Sequence, residues 1–199
     1  MKTVDPKTGK IVIQKRRRRF DEACDARELT FCCYRCYRFL DRDRTRLWFL
    51  EELEHARQKW PFDLWAYVLM PEHVHLLVYP REPTLKVGKI AGQIKEAVAR
   101  QAIAYLTIHA PDWLPRITVR EGSRTRRRFW QPGGGYDRNV AEPSTVARMI
   151  EYIHANPVRR GMVAAAEDWA WSSARWYAGF RPVPIAMDAT GPILHETVR

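Results

Sequence analysis

The sequence predicts an α+β sandwich with helices packed on one face of an antiparallel sheet, and three features carry that reading. Stretches of helical periodicity alternate with short β-branched and aromatic runs. Two such runs, at 62–70 and 73–79, are separated only by Pro71-Glu72 and suit a tight antiparallel hairpin. The order along the chain is strand, helix, strand, strand, helix, one or more strands, helix, without an internal repeat. At 199 residues and 46% apolar composition, the chain suits one domain with tails and an ordinary core.

Residues 1–27 are polar and basic, contain "KRRRR", and read as a flexible arm. "LTFCCY" at 29–34 is rich in β-formers and reads as the first strand. Residues 43–59 read as an amphipathic helix, because Leu47, Leu50, Leu53 and Ala56 recur at helical spacing; Pro61 closes it. The strand pair follows, and then a second helix from about 84 to 109, with Val87, Ile90, Ala91, Ile94 and Val98 on one face. Residues 111–142 are rich in arginine and hold the run "PGGGY", which suggests a strand pair with a mobile connection. A third helix is expected at 143–155, with Pro143 in its first turn and an end set by Pro157, which disfavours helical geometry at Asn156. Its core stripe is Val146, Met149, Ile150 and Ile153. "DWAWSSARWYAGF" follows, and 179–199 reads as a Pro-containing tail.

The formal net charge is +11, and it is unevenly placed. Residues 1–19 carry +7, residues 115–138 carry +5, and the rest of the chain is close to neutral at −1. Two basic segments on a near-neutral body suit a polyanion, of which nucleic acid is the first candidate; a solvated tail and loop is the plainer alternative. The only apolar stretch near the N-terminus is "IVI", short of a secretory h-region, and no run is long enough to span a bilayer. A soluble, cytoplasmic protein associated with the nucleoid is expected. Cys24, Cys32, Cys33 and Cys36 include one pair at zinc-knuckle spacing, but no second pair follows, so reduced, half-buried thiols are the reading.

The stretch "YVLMPEHVHLLVYP" places two histidines in an apolar strand. Residues two apart on a strand share a face, so His73 and His75 project together, about 6–7 Å apart at the backbone, while Val74, Leu76 and Val78 turn to the core. Two imidazoles so placed can converge on one divalent ion, or stand as solvent-facing histidines. On the third helix, Tyr152 and Asn156 lie four residues apart on one border of the core stripe and could face the sheet edge where the histidines emerge. An ordinary boundary tyrosine and a residue ending a helix would also account for them.

A strand with His73-Val74-His75 followed by a helix reading "EYIHANPVRRGMV", then "DWAWSS", resembles the single-tyrosine HUH transposases, and more closely the REP-associated tyrosine transposase branch. The resemblance spans roughly residues 28–178, between the arm and the tail, and "FWQPGGGYDRN" resembles a further block of that family, with Gly133 to Gly135 departing from it. It implies a ferredoxin-like HUH endonuclease fold. It also implies cleavage and joining of single-stranded DNA bearing an imperfect hairpin, through a 5′-phosphotyrosine. His73, His75 and Asn156 would be the metal ligands and Tyr152 the nucleophile. A neutral, partly hard donor set suits Mg²⁺ or Mn²⁺. Arg16, Arg17, Arg18, Arg19, Arg124, Arg126, Arg127 and Arg128 would bind phosphates, and Trp130 would stack on bases. The rival nucleophiles are Tyr79 and Tyr136, and relatives include monomers and homodimers. A non-catalytic binding module of the same fold and a water-activating metal nuclease are the alternative functions.

Overall fold

The computed structural model describes residues 24–189 and, for the backbone alone, 2–4 and 11–13. Within the segment expected as an arm, β1 (Lys2–Val4) and β2 (Ile11–Ile13) pair as an antiparallel hairpin. The run Arg16 to Arg19 lies outside the described residues.

The body is a four-stranded antiparallel sheet built from β3 (Ala26–Cys32), β4 (Phe62–Leu69), β5 (His73–Pro80) and β8 (Tyr136–Val140), in the order β4-β5-β3-β8. β3 begins three residues earlier than the β-rich run predicts and ends at Cys32. Helix α1 (Asp43–Lys59) connects β3 to β4, and α2 (Val87–His109) leaves β5, so the strand order and crossovers are those of the ferredoxin-like sandwich. α1 and α2 pack on the face made by Leu29 and Phe31 of β3 and Val74, Leu76 and Val78 of β5. Leu47 is exposed; the stripe that α1 buries is Phe49, Leu50, Leu53 and Ala56.

The opposite face is also covered, which differs from the one-sided arrangement expected. Helix α4 (Pro143–Arg159) lies there, with Val146, Met149, Ile150 and Ile153 against Ala26, Val68 and Leu77. Both faces of the central strands are therefore apolar, and a register slip between Leu64 and Ala66 lets Trp65, Ala66 and Val68 serve the α4 face while Leu64 and Leu69 serve the other.

The arginine-rich segment divides in two. After the short helix α3 (Leu114–Ile117), β6 (Thr118–Glu121) and β7 (Arg124–Arg127) form a separate ribbon, mostly exposed, turning at Gly122 with φ 59°. The glycine run is docked rather than a loose connection. Gly135 has φ 74°, and a Cβ there would come within 2.3 Å of the Thr30 carbonyl oxygen, so only glycine lets the chain enter β8 so close to β3. The bidentate Arg27–Asp137 pair, both side chains buried, ties the same two strands. Beyond the short helix α5 (Ala174–Tyr177), the segment expected as a tail also packs: Ile185 and Met187 are buried, and the Asp188 carboxylate accepts from Leu64 N and pairs with Arg57.

Candidate active site

β3, β5 and α4 converge at the end of the sheet where β5 begins. His73 lies opposite Cys32 and His75 opposite Thr30 in the β3–β5 ladder, so both imidazoles and Thr30 share the face that α4 covers. The two rings are 5.0 Å apart and nearly perpendicular, at 84°. Tyr152 of α4 meets the second of them edge to face, with 5.7 Å between centroids at 89°. The histidines are not on a wet face: only 8% of His73 and 6% of His75 remain exposed. Tyr152 keeps 40% of its surface in solvent, where a polymer could reach it.

Each imidazole is held from behind. His73 Nδ1–H donates to the Glu72 carboxylate at 3.0 Å, and that carboxylate also receives the Arg160 guanidinium at 2.6 Å. His75 Nδ1 shares a 2.8 Å hydrogen bond with Thr30 Oγ1, with the Glu28 carboxylate 3.8 Å away. Both Nδ1 atoms are thus engaged, and Nε2 of each ring is the atom left for a ligand. Burial first, and then the neighbouring His75, push the His73 imidazole below its usual range against the pull of Glu72, which favours the neutral ring a metal needs. Among the described residues, no group of three His, Cys, Asp or Glu side chains is placed to hold a metal.

Asn156 has the amide that the family resemblance implies as third ligand, and its posture has a local cause. α4 does not stop before Pro157; it continues through it to Arg159. Pro157 lacks the N–H that would bond Ile153 four residues back. The Asn156 amide turns back along the helix, with Nδ2 donating to Tyr152 O at 2.9 Å and lying 3.4 Å from the Ile153 carbonyl. The side chain thereby covers the carbonyl that the proline orphans, and its Oδ1 is the atom left for another partner.

A cleft of about 450 Å³ opens beside Tyr152 and His75, walled by Glu28, Thr30, Tyr136, Arg138 and Met149. Arg138 sits opposite Glu28 in the β3–β8 ladder, exposed at the mouth, and the Arg159 guanidinium lies 5.1 Å over the Tyr152 ring. Of the rival tyrosines, Tyr79 is stacked on Trp65 at 4.8 Å, whereas Tyr136 begins β8 and lines the cleft instead of riding a mobile loop. His154, two residues beyond Tyr152, turns away to Ser173 Oγ at 2.8 Å, and burial holds its imidazole down at about 4.

The other predicted binding residues fall into two groups. Arg124, Arg126 and Arg127 are exposed on β7, and Arg128 is half-buried and paired with Glu121. Trp130 is a correction: it is 6% exposed, packs edge-on to Phe31 and donates Nε1–H to Lys95 O at 2.8 Å, so it belongs to the core and offers no stacking platform. Trp169 and Trp171, of the "DWAWSS" stretch and outside the predicted binding set, pack against the core clusters, with the Arg46 guanidinium near both rings. Glu28, Thr30 and Arg138 escaped the sequence reading because strand register alone brings them to His75; Glu72, adjacent to His73, was visible but had no partner until Arg160 arrived from the end of α4.

The sequence model described as IS200-like transposase matches residues 21–156. A protein of Haemophilus influenzae described as a REP-associated tyrosine transposase is 27% identical over 150 residues, 66% of this chain and 74% of that protein. In fold, the chain is similar to a solved REP-associated tyrosine transposase bound to a REP hairpin. The TM-score is 0.64 at 20% identity, covering 89% of this chain and 94% of that one.

Proposed function

The chain belongs to the IS200-like transposase family, and from that premise we propose that it cuts and rejoins single-stranded DNA beside a hairpin of the REP type, with Tyr152 as nucleophile. The observation that carries the reading is the Tyr152 ring set edge-on to His75, beside His73, at the mouth of an open cleft. A binding module has no need of a half-exposed tyrosine against two braced imidazoles. The similarity to proteins described as REP-associated tyrosine transposases, one of them bound to a REP hairpin, supports the hairpin as the element recognised.

In the proposed step, Tyr152 Oη bonds to phosphorus while the P–O3′ bond breaks. The phenol gives up its proton and the departing 3′ oxygen gains one, leaving a 5′-phosphotyrosine and a free 3′-OH. Because the new linkage is still a phosphodiester, a second 3′-OH can reverse the step and join different ends. Arg138 and Arg159 are placed to offset phosphate charge at the cleft. The donor set, two imidazole Nε2 atoms with Asn156 Oδ1, fits a divalent ion such as Mg²⁺ or Mn²⁺. When bound, that ion would neutralise a non-bridging oxygen and make phosphorus more electrophilic. Glu72 and Thr30 fix the ring orientations this requires.

The test is a labelled hairpin DNA with single-stranded flanks, incubated with the protein and Mg²⁺ and run under denaturing conditions. A protein–DNA adduct that maps by mass spectrometry to Tyr152 is expected. Cleavage without an adduct would assign a water-activating nuclease, and an adduct on Tyr136 would move the nucleophile to β8.

A further inference from the structure

A second cavity, of about 430 Å³, lies on the α1/α2 side of the sheet, away from the histidines. Its wall is aromatic: Phe39 is stacked on Phe129 at 4.9 Å, Trp113 meets Phe39 edge-on at 5.6 Å, Trp48 and Tyr105 are tilted across 6.1 Å, and His109 stacks on Tyr105 at 4.3 Å. Its rim is cationic. Arg38, Arg42 and Arg44 line it, and the single acid there, Asp41, is already paired with Arg38 and Arg46. Arg42 and Arg44 have no acidic partner among the described residues, and the Arg44 guanidinium is held 3.8 Å over the Tyr105 ring.

The cavity adjoins both the arginine ribbon and the histidine end of the sheet. The arginine ribbon rises from its edge: Arg128 N–H donates to Ile117 O at the ribbon's base, Phe129 follows directly into the wall, and Arg127 reaches Thr107 of α2. Around the end of the sheet, the wall is tied to the Pro71-Glu72 turn that precedes the histidine strand, through Leu40 N–H to Pro71 O.

We infer that this cavity is a nucleotide-binding subsite, in which one unpaired nucleotide of the bound DNA inserts its base among Trp48, Tyr105 and Trp113 and sets its phosphates against Arg42 and Arg44. Flat apolar walls accept the face of any base, and unpaired guanidinium groups at the rim match the backbone. The volume is within the roughly 300–1,000 Å³ of small-ligand sites. An acidic peptide would satisfy the arginines but offer no planar group to the aromatic wall. The inference rests on the DNA reading above and adds a contact on the other face of the sheet, so a strand cut at Tyr152 would be gripped around the sheet's end.

The experiment is an abasic scan by fluorescence anisotropy. Labelled hairpins with single-stranded flanks, each lacking one base at a successive position, are titrated with the full chain and with Tyr105→Ala, Trp113→Ala and Arg42→Ala. At one position, base removal should weaken binding to the parent chain by roughly 5- to 140-fold, the range for removing one base–aromatic stack. The same removal should weaken Tyr105→Ala and Trp113→Ala by less than about twofold, because their stack is already gone. Arg42→Ala, at an exposed position outside the aromatic wall, should lower the slope of log K against log[salt] by about 0.7, and it keeps the test open if an aromatic variant does not fold. Identical abasic profiles in the parent and aromatic variants, or an unchanged slope in Arg42→Ala, would overturn the subsite. Failure of the parent chain to bind any of these DNAs would remove the DNA reading itself, whereas binding without an adduct would remove only the chemistry assigned to Tyr152.

Discussion

Tyr152 is packed on one side by His75 and Arg159 and open on the other, so its phenolic oxygen can be removed without disturbing the ring's surroundings. Tyr152→Phe should therefore abolish the covalent adduct while DNA affinity, measured by anisotropy, changes less than about twofold; an adduct of parental yield would rule this tyrosine out. Glu72 acts through another group, since its carboxylate braces His73 Nδ1 and is itself anchored by Arg160. Glu72→Ala should raise the Mg²⁺ or Mn²⁺ concentration needed for half-maximal adduct formation by about 10- to 100-fold, the usual effect of losing such a brace, with much of the rate recovered at high metal. A purely structural role would instead lower the rate equally at every metal concentration.

At the scale of the element, α4 is the unusual one, because it runs through a proline without ending. The helix tolerates Pro157 in part because the Asn156 amide lies against the carbonyl that lost its partner, in a buried position. Asn156→Ala should cost about 1–3 kcal/mol in urea unfolding, the penalty for an unsatisfied buried polar group. Combined with Pro157→Ala, which restores the backbone N–H, the loss from Asn156→Ala should shrink by at least half. Equal losses in both backgrounds would show that Asn156 does not serve the helix in this way. A helix held to its last turn keeps Tyr152 and Arg159 in register at the cleft and Arg160 at the Glu72 carboxylate.

Across the whole molecule, positive charge is concentrated in two segments, +7 in residues 1–19 and +5 in residues 115–138. The ribbon places Arg124, Arg126 and Arg127 in solvent, next in the chain to the Phe129 wall of the aromatic cavity, while the cleft beside Tyr152 is on the opposite face of the sheet. Such a layout favours a strand wrapped over the sheet's end rather than laid along one groove. Deleting residues 1–19 should weaken DNA binding most at moderate salt. It should also lower the slope of log K against log[salt] by roughly 0.7 for each single-strand phosphate that the deleted residues neutralise. A slope that does not change would show that these residues touch no DNA. No helix among the described residues is long and apolar enough to cross a membrane.

Periodicity made most of the secondary structure legible in the sequence. Alternation by two placed His73 and His75 on one strand face, helical spacing identified the stripe of α4, and Pro71-Glu72 marked the hairpin, all of which depend only on neighbours in the chain. The same local signals misplaced Leu47 and ended α4 at residue 155, before Pro157, because which apolar face is covered, and whether a side chain can relieve a proline, depend on what packs there. Trp130 shows the limit most directly: beside the four arginines at 124 and 126–128 it reads as a DNA contact, yet Phe31 and Phe49 draw it into the core. Sequence alone determined the candidate residue types, an imidazole pair on a strand and a tyrosine-amide pair on a helix. Only the tertiary structure decided that α4 crosses the second face of the sheet to set Tyr152 against His75, and that register brings Thr30, Glu28 and Arg138 to the same cleft. The physical reason is that pairing across strands and docking across faces are set by the whole core at once, and no window of consecutive residues contains that information.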